Sequence, residues 1–200
     1  MSAPTIEFWF DFGSPYSYLS AMRIEAEAGR AGVAVHWKPF LLGPVFQALG
    51  WSTSPLVLQK EKGEYAWKDM QRQCRKYGLR WKQPTGFPRA AVPPTRVALS
   101  NAEQPWVGEF CRRVMQLNFA DDRDIDSAEV VLEVLRGMGL PAQQLWEEAQ
   151  SEEWRGRLRA QTAAARWLGI FGAPTFFVRR EMFWGNDRLD DALGFCRAQA

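Results

Sequence analysis

The sequence predicts an α/β fold in which a small sheet, opened by a βαβ unit and closed by a ββα unit, carries a large all-helical insertion. Three observations predict it. Ile6, Phe8, Phe10 and Phe12 alternate with Glu7, Trp9 and Asp11, the period-two pattern of a strand with one buried face. A second alternating run, Val33, Val35 and Trp37 against Ala34, His36 and Lys38, follows a single helical stretch and stops at Pro39. Strand character then returns only at Thr175 to Val178, and the apolar spacing in between is helical.

Each element has its own signals. Gly13 breaks the first run, and Ser14 followed by Pro15 is a helix start, because a serine side chain accepts from a free backbone N–H and proline suits the first helical position. The helix is expected from Pro15 to about Arg30, with Tyr18, Leu19, Met22 and Ile24 close to helical spacing and a glycine-rich turn after it. Strand, helix and strand in so short a stretch form a right-handed crossover, so the two strands are expected to be parallel. Anions are favoured at a helix N-terminus, which makes Ser14 the place to look for chemistry.

From Gly43 the pattern is helical. Trp67, Met70, Cys74 and Tyr77, and then Val107, Phe110, Cys111, Val114 and Leu117, mark buried helix faces. Asp126 with Glu129 resembles a capping box before Val130, and Gly137 and Gly139 supply a stop. A further helical stretch from about Pro141 to Leu168 is expected to break near Ser151 and to end at Gly169. Two irregular loops, Ala48 to Pro55 and Gln83 to Pro94, do not read as linkers between independent domains. Arg179 to Glu181 turns the chain into a short second run, Met182 to Trp184, which makes a hairpin, and a closing helix is expected from Asp187 to Gln199.

Composition excludes several functions. Twenty-five basic and 23 acidic side chains give a formal charge of +2, too balanced for a nucleic-acid or membrane-surface partner. Ten Trp and 13 Phe without a net basic field suit a core or a pocket for a flat ligand better than a platform for single strands. The three cysteines, Cys74, Cys111 and Cys196, form no CxxC pair and suggest neither a disulfide framework nor a zinc site. The opening MSAPTIEFWF lacks the basic and apolar regions of a leader, and the chain reads as a soluble cytoplasmic protein. His36 is the only histidine, so a His-ligated metal is not expected and no metal is assigned. Ser14 lies in no GxSxG elbow, and His36, placed in the second strand, has no evident orienting partner, which argues against a serine hydrolase.

Three separated segments, FDFGSPYSYL, GIFGAPTFFV and MFWGNDRLD, together with FLLGPVFQALGW, resemble the 2-hydroxychromene-2-carboxylate isomerases, relatives of kappa-class glutathione transferases and of DsbA-type oxidoreductases. The resemblance covers nearly the whole chain. It implies a thioredoxin-like fold formed by residues 1–43 and 169–200, a helical domain of residues 44–168 inserted in it, glutathione as the bound thiol, and a homodimer. Ser14 and Ser17 stand where redox relatives keep the two cysteines of CxxC, so the sulfur would have to come with glutathione.

What the resemblance implies for single residues can be set beside their own chemistry. A free thiol has a pKa of about 8.5, and a hydroxyl donated from Ser14 would favour the thiolate by about 1.5–3 kcal/mol, roughly one to two pKa units. Ala173-Pro174 falls where thioredoxin folds carry a cis-proline, and the family uses the backbone N–H and C=O of Ala173, left unpaired by the sheet, to bind the cysteinyl part of glutathione. Asn186 and Asp187 would hold the γ-glutamyl end, with Asp187 on its ammonium; from the residues alone they serve equally well as the N-cap of the last helix. Lys62 would meet the glycyl carboxylate. Thr53 lies in GWSTSP, where the family often has an asparagine. Lys38 and Arg89 are weak candidates for a substrate carboxylate.

The activity implied is a glutathione-dependent cis-trans isomerisation of 2-hydroxychromene-2-carboxylate-type aromatic substrates, by reversible addition of a Ser14-stabilised glutathione thiolate in an aromatic-walled cleft. The alternatives are a kappa-like glutathione transferase and a non-catalytic glutathione-binding protein.

Overall fold

The computed structural model describes residues 3–199, so residues 1–2 and 200 of the domain division fall outside the described residues. Four strands, β1 (Thr5–Phe10), β2 (Ala34–Pro39), β3 (Thr175–Val178) and β4 (Glu181–Trp184), form one sheet in the order β2-β1-β3-β4. β1 runs parallel to β2, with Phe8 opposite Trp37, and antiparallel to β3, with Phe8 opposite Phe176. β3 and β4 are the expected hairpin. The helices are α1 (Pro15–Ala21), α2 (Ile24–Ala31), α3 (Leu42–Ala48), α4 (Pro55–Leu58), α5 (Lys60–Tyr77), α6 (Val92–Ser100), α7 (Val107–Phe119), α8 (Ala128–Gly137), α9 (Ala142–Ala149), α10 (Glu152–Trp167) and α11 (Leu189–Ala198). Among the described residues no helix is long and apolar enough to cross a membrane.

The alternation of β1 builds the main core. Phe8 stacks on Phe10 at 5.0 Å and on Phe176 at 5.5 Å, and meets the edge of Trp37 at 5.2 Å. Phe110, Met115, Phe119, Val131 and Leu135 belong to the same buried cluster, so the helical segment and this face of the sheet share one core. The other face is covered too, which differs from the half-buried strand expected. Trp9 packs with Phe40, Leu42, Val45, Ala165, Ile170 and Phe177 in a second, smaller cluster under α3 and α10. Asp11, on the same side, is carried inside with them.

Three expectations are corrected. The helix expected from Pro15 to Arg30 is two helices, because Met22 and Arg23 close a tight turn onto Tyr18 and Ser20. The halves have different partners: α1 packs on α5 and α7, α2 on α11 and β2. Asp126 does not cap α8; Ser127 holds the cap position without a side-chain bond, and the Asp126 carboxylate accepts instead from the Ala90 N–H at 3.1 Å. The closing helix begins as a 3₁₀ turn, Asn186–Arg188, before α11. The break at Ser151 is as expected, its side chain accepting from the Trp154 N–H at the start of α10.

Candidate functional site

Past the end of β1 the chain turns through Asp11, Phe12 and Gly13 into Ser14. A side chain at Gly13 would meet the Arg89 carbonyl at 2.6 Å, so the turn has room only for glycine. Ser14 is almost wholly buried, and its Oγ is used twice: it accepts from the Ser17 N–H at 3.2 Å, capping α1, and donates to the Ala173 carbonyl at 2.8 Å. The Ala173-Pro174 peptide is cis. The Ala173 carbonyl, outside the strand pairing as expected, is engaged by the serine instead, because a buried hydroxyl takes an acceptor within reach. The Ala173 N–H has no hydrogen-bond partner among the described residues.

Ser14 and the Ala173-Pro174 turn open onto a cleft of about 1180 Å³. Lys62, Asn186, Asp187 and Thr53 line the same cleft, so the candidate glutathione-binding residues all border one space. Asn186 is buried, and its Oδ1 accepts from the Ser20 hydroxyl at 3.1 Å and from Arg23 at 3.5 Å. It caps no helix, because its oxygen is turned toward α1, and its NH2 makes no hydrogen bond among the described residues. Asp187 is exposed and pairs with Arg188 at 3.1 Å. Ser17, on α1, is fully buried and does not line the cleft, its Oγ unpartnered among the described residues.

Other sequence candidates lie elsewhere or are occupied. His36 sits in β2 opposite Glu7, and Lys38 pairs with Glu7 at 3.9 Å, neither of them on the cleft. Arg89 lines the cleft, but its guanidinium is held by Asp122 at 2.8 Å and by the Asn118 side chain at 2.6 Å.

The structure adds residues the sequence did not single out. Arg23, freed by the break between α1 and α2, lies 4.2 Å over the Tyr77 ring and is paired with Glu27 at 2.9 Å. Tyr16 donates to Asp69 at 3.0 Å, and burial, with the Asp69 carboxylate beside it, pushes its phenol well above the usual range. Phe171 and Trp184 form an edge-to-face pair at 4.7 Å on the rim, and Trp184 packs so closely over Gly172 that an added Cβ would lie 2.5 Å from its Nε1. Asp11 lines the cleft floor, where desolvation pushes its carboxyl up to about 6 despite bonds from the Leu42 and Gly13 N–H groups. Its one sequence signal was an acidic residue inside an aromatic strand run.

A mixed sheet with a cis-proline turn facing a serine at the head of α1 defines a thioredoxin-like protein with no redox thiol at the usual place. A family model described as DSBA-like thioredoxin domain matches residues 5–194. The 2-hydroxychromene-2-carboxylate isomerase of Sphingobium xenophagum is 30% identical, over 93% of this chain and 94% of that protein. A solved 2-hydroxychromene-2-carboxylate isomerase structure superposes with a TM-score of 0.86 at 26% identity, covering 98% of this chain and 97% of the other. Glutathione S-transferase kappa 1 of Rattus norvegicus is 24% identical over 92% of this chain and 87% of its own length. The chain belongs to the DSBA-like thioredoxin family and, within it, to the 2-hydroxychromene-2-carboxylate isomerase family of enzymes.

Proposed function

We propose that the protein is a glutathione-dependent cis-trans isomerase of 2-hydroxychromene-2-carboxylate-type aromatic substrates. The observation that carries this reading is the gathering of Ser14, the unpartnered Ala173 N–H, Asn186, Asp187 and Lys62 on one cleft. The donor set suits the γ-glutamyl tripeptide. Lys62 offers a cation to one carboxylate, the Asn186 NH2 a donor to the other, Asp187 a carboxylate to the ammonium, and Ala173 its backbone to the cysteinyl residue.

When bound, glutathione supplies a thiolate able to add reversibly to a conjugated ring carbon and to leave again. The chain's own part is to hold that sulfur ionised and the substrate flat beside it. The Ser14 hydroxyl turns from the Ala173 carbonyl toward the sulfur, which also frees that carbonyl for the cysteinyl N–H. Its Oγ keeps the Ser17 N–H as a donor, which makes its own proton a better one. The field of α1 adds less than a long helix would, since α1 has 7 residues, so the hydroxyl is the main device. Phe171, Trp184 and Trp51 give the cleft aromatic surface for a planar substrate.

The test is an ultraviolet difference spectrum of the protein with glutathione at neutral pH, for wild type and Ser14→Ala, followed by turnover of a chromene carboxylate with glutathione assayed in parallel. Thiolate absorbance lost in the variant, and isomerisation without consumption of glutathione, are expected. Stoichiometric consumption would make the protein a kappa-like transferase instead, and binding without thiolate a glutathione-binding protein.

The division into a thioredoxin-like unit of residues 1–43 and 169–200 with residues 44–168 inserted, pairing with a second copy, and a cytoplasmic setting belong to the same proposal. Three buried free cysteines, each with its thiol pushed up by burial, suit a reducing compartment.

A further inference from the structure

Asp11 is a buried carboxylate to which the proposed chemistry gives no task. Oδ1 accepts from the Gly13 N–H at 2.6 Å and Oδ2 from the Leu42 N–H at 2.7 Å. The first bond lies within the turn that presents Ser14, whose own N–H is bonded to the Asp11 carbonyl at 3.1 Å. The second reaches the first residue of α3, whose cap position, Leu41, offers no side-chain bond. α3 leads directly into the loop that carries Trp51 and Thr53, which line the same cleft as Ser14. One side chain thus joins two cleft-lining segments.

We propose that Asp11 is a positioning residue, a latch whose two carboxylate oxygens hold the Ser14 turn and the head of α3 at a set separation and so fix the width of the thiol site. The inference rests on the glutathione reading for its effect on binding, but not for its geometry. Only a carboxylate can serve both N–H groups from these two atoms, because an amide would turn an NH2 toward one of them. Protonation weakens the same two bonds, because a neutral carboxyl is a poorer acceptor than a carboxylate. The charged groups facing Asp11 are Asp126, whose like charge opposes ionisation, and Arg89, whose backbone abuts Gly13 while its guanidinium is turned onto Asp122. No cation compensates the carboxylate among these, so burial dominates and the latch is set to open near pH 6.

Two measurements test this. In the protein without ligand, the backbone amide resonances of Gly13 and Leu42 should titrate together with one midpoint near 6, and Asp11→Asn should abolish that midpoint. Calorimetric glutathione binding should weaken about tenfold from neutral to mildly acid pH in wild type, the equivalent of about 1.4 kcal/mol. Asp11→Asn should bind weakly at both. A second pair of variants leaves Asp11 intact. Leu42→Pro removes the N–H at a position where proline is accommodated, after an extended Leu41, and should flatten the pH dependence, whereas Leu42→Ala, with comparable loss of packing, should keep it. Independent titration of the two amides, or wild-type affinity and pH profile in Asp11→Asn, would overturn the latch. Failure of wild type to bind glutathione would sink the proposed function instead, leaving the latch to be judged by the amide titration.

Discussion

On the sheet side of the cleft Ser14 and Asn186 are almost wholly buried and held by bonds of 2.8 to 3.5 Å, whereas on the helical side Lys62, Tyr65 and Trp51 reach it from exposed positions. Their side chains make no hydrogen bonds among the described residues, and Trp51 rests on Phe46 at a ring separation of 5.6 Å. Under the proposed function, the difference separates two tasks. Atoms that must sit within a fraction of an ångström of a reacting sulfur are placed by packed backbone, where side-chain entropy has already been lost in folding. Atoms that only hold the ends of a flexible ligand can be recruited from solvent.

Substitutions on the two walls should therefore behave differently. The largest effect is expected for Ser14→Ala. Loss of one hydrogen bond to an anion should raise the pKa of the bound thiol by about one to two units, lowering its thiolate-to-thiol ratio about 10- to 100-fold. Ultraviolet titration of bound glutathione measures this, and an equal loss in Lys62→Ala would break the comparison. Asn186→Ala comes next. It strips the acceptor from the Ser20 hydroxyl and a contact from Arg23, and should cost about 1–3 kcal/mol in urea unfolding as well as weakening glutathione binding.

The third expectation is a pH dependence. Asp11 is raised from the ordinary 3.8 to about 6, so between those values the native state keeps a proton that the unfolded chain has lost. Its contribution to stability is full below the lower value and is lost as pH rises through the upper one. Comparing urea midpoints of wild type and Asp11→Asn across that window isolates the slope, which the variant should lack. The smallest effect is expected for Lys62→Ala: stability within about 0.5 kcal/mol of wild type, and glutathione affinity lower by less than about 1 kcal/mol. Calorimetry at two salt concentrations would sharpen the point, since a solvent-exposed pair should fade at the higher one.

Much of the fold was legible because its signals are local. The Ile6 to Phe12 alternation, the Ser14-Pro15 start, Ser151 before α10 and the αL glycine at 169 each announce an element without help from the rest of the chain. The break between α1 and α2 was not legible, since Tyr18, Met22 and Ile24 are near helical spacing on both sides of it. It exists because the two halves pack on different partners. Asp126 and Asn186 read as caps for a related reason: a short polar side chain before a helix has the same appearance whether its oxygen turns to its own helix or to a neighbour.

By itself, the sequence determined where the strands and most of the helices fall, that a serine stands at the handover from β1 to α1, and that no thiol accompanies it. Those properties follow from periodicity and residue chemistry over a few positions. Only the tertiary structure decided that the Ser14 hydroxyl lies on the Ala173 carbonyl, 159 positions away, that Asn186 turns its oxygen to Ser20, and that Trp9 and Asp11 are buried on the second face of the sheet. These depend on which elements are packed together, and a hydrogen bond between distant segments exists only once burial of their apolar faces has brought them into register.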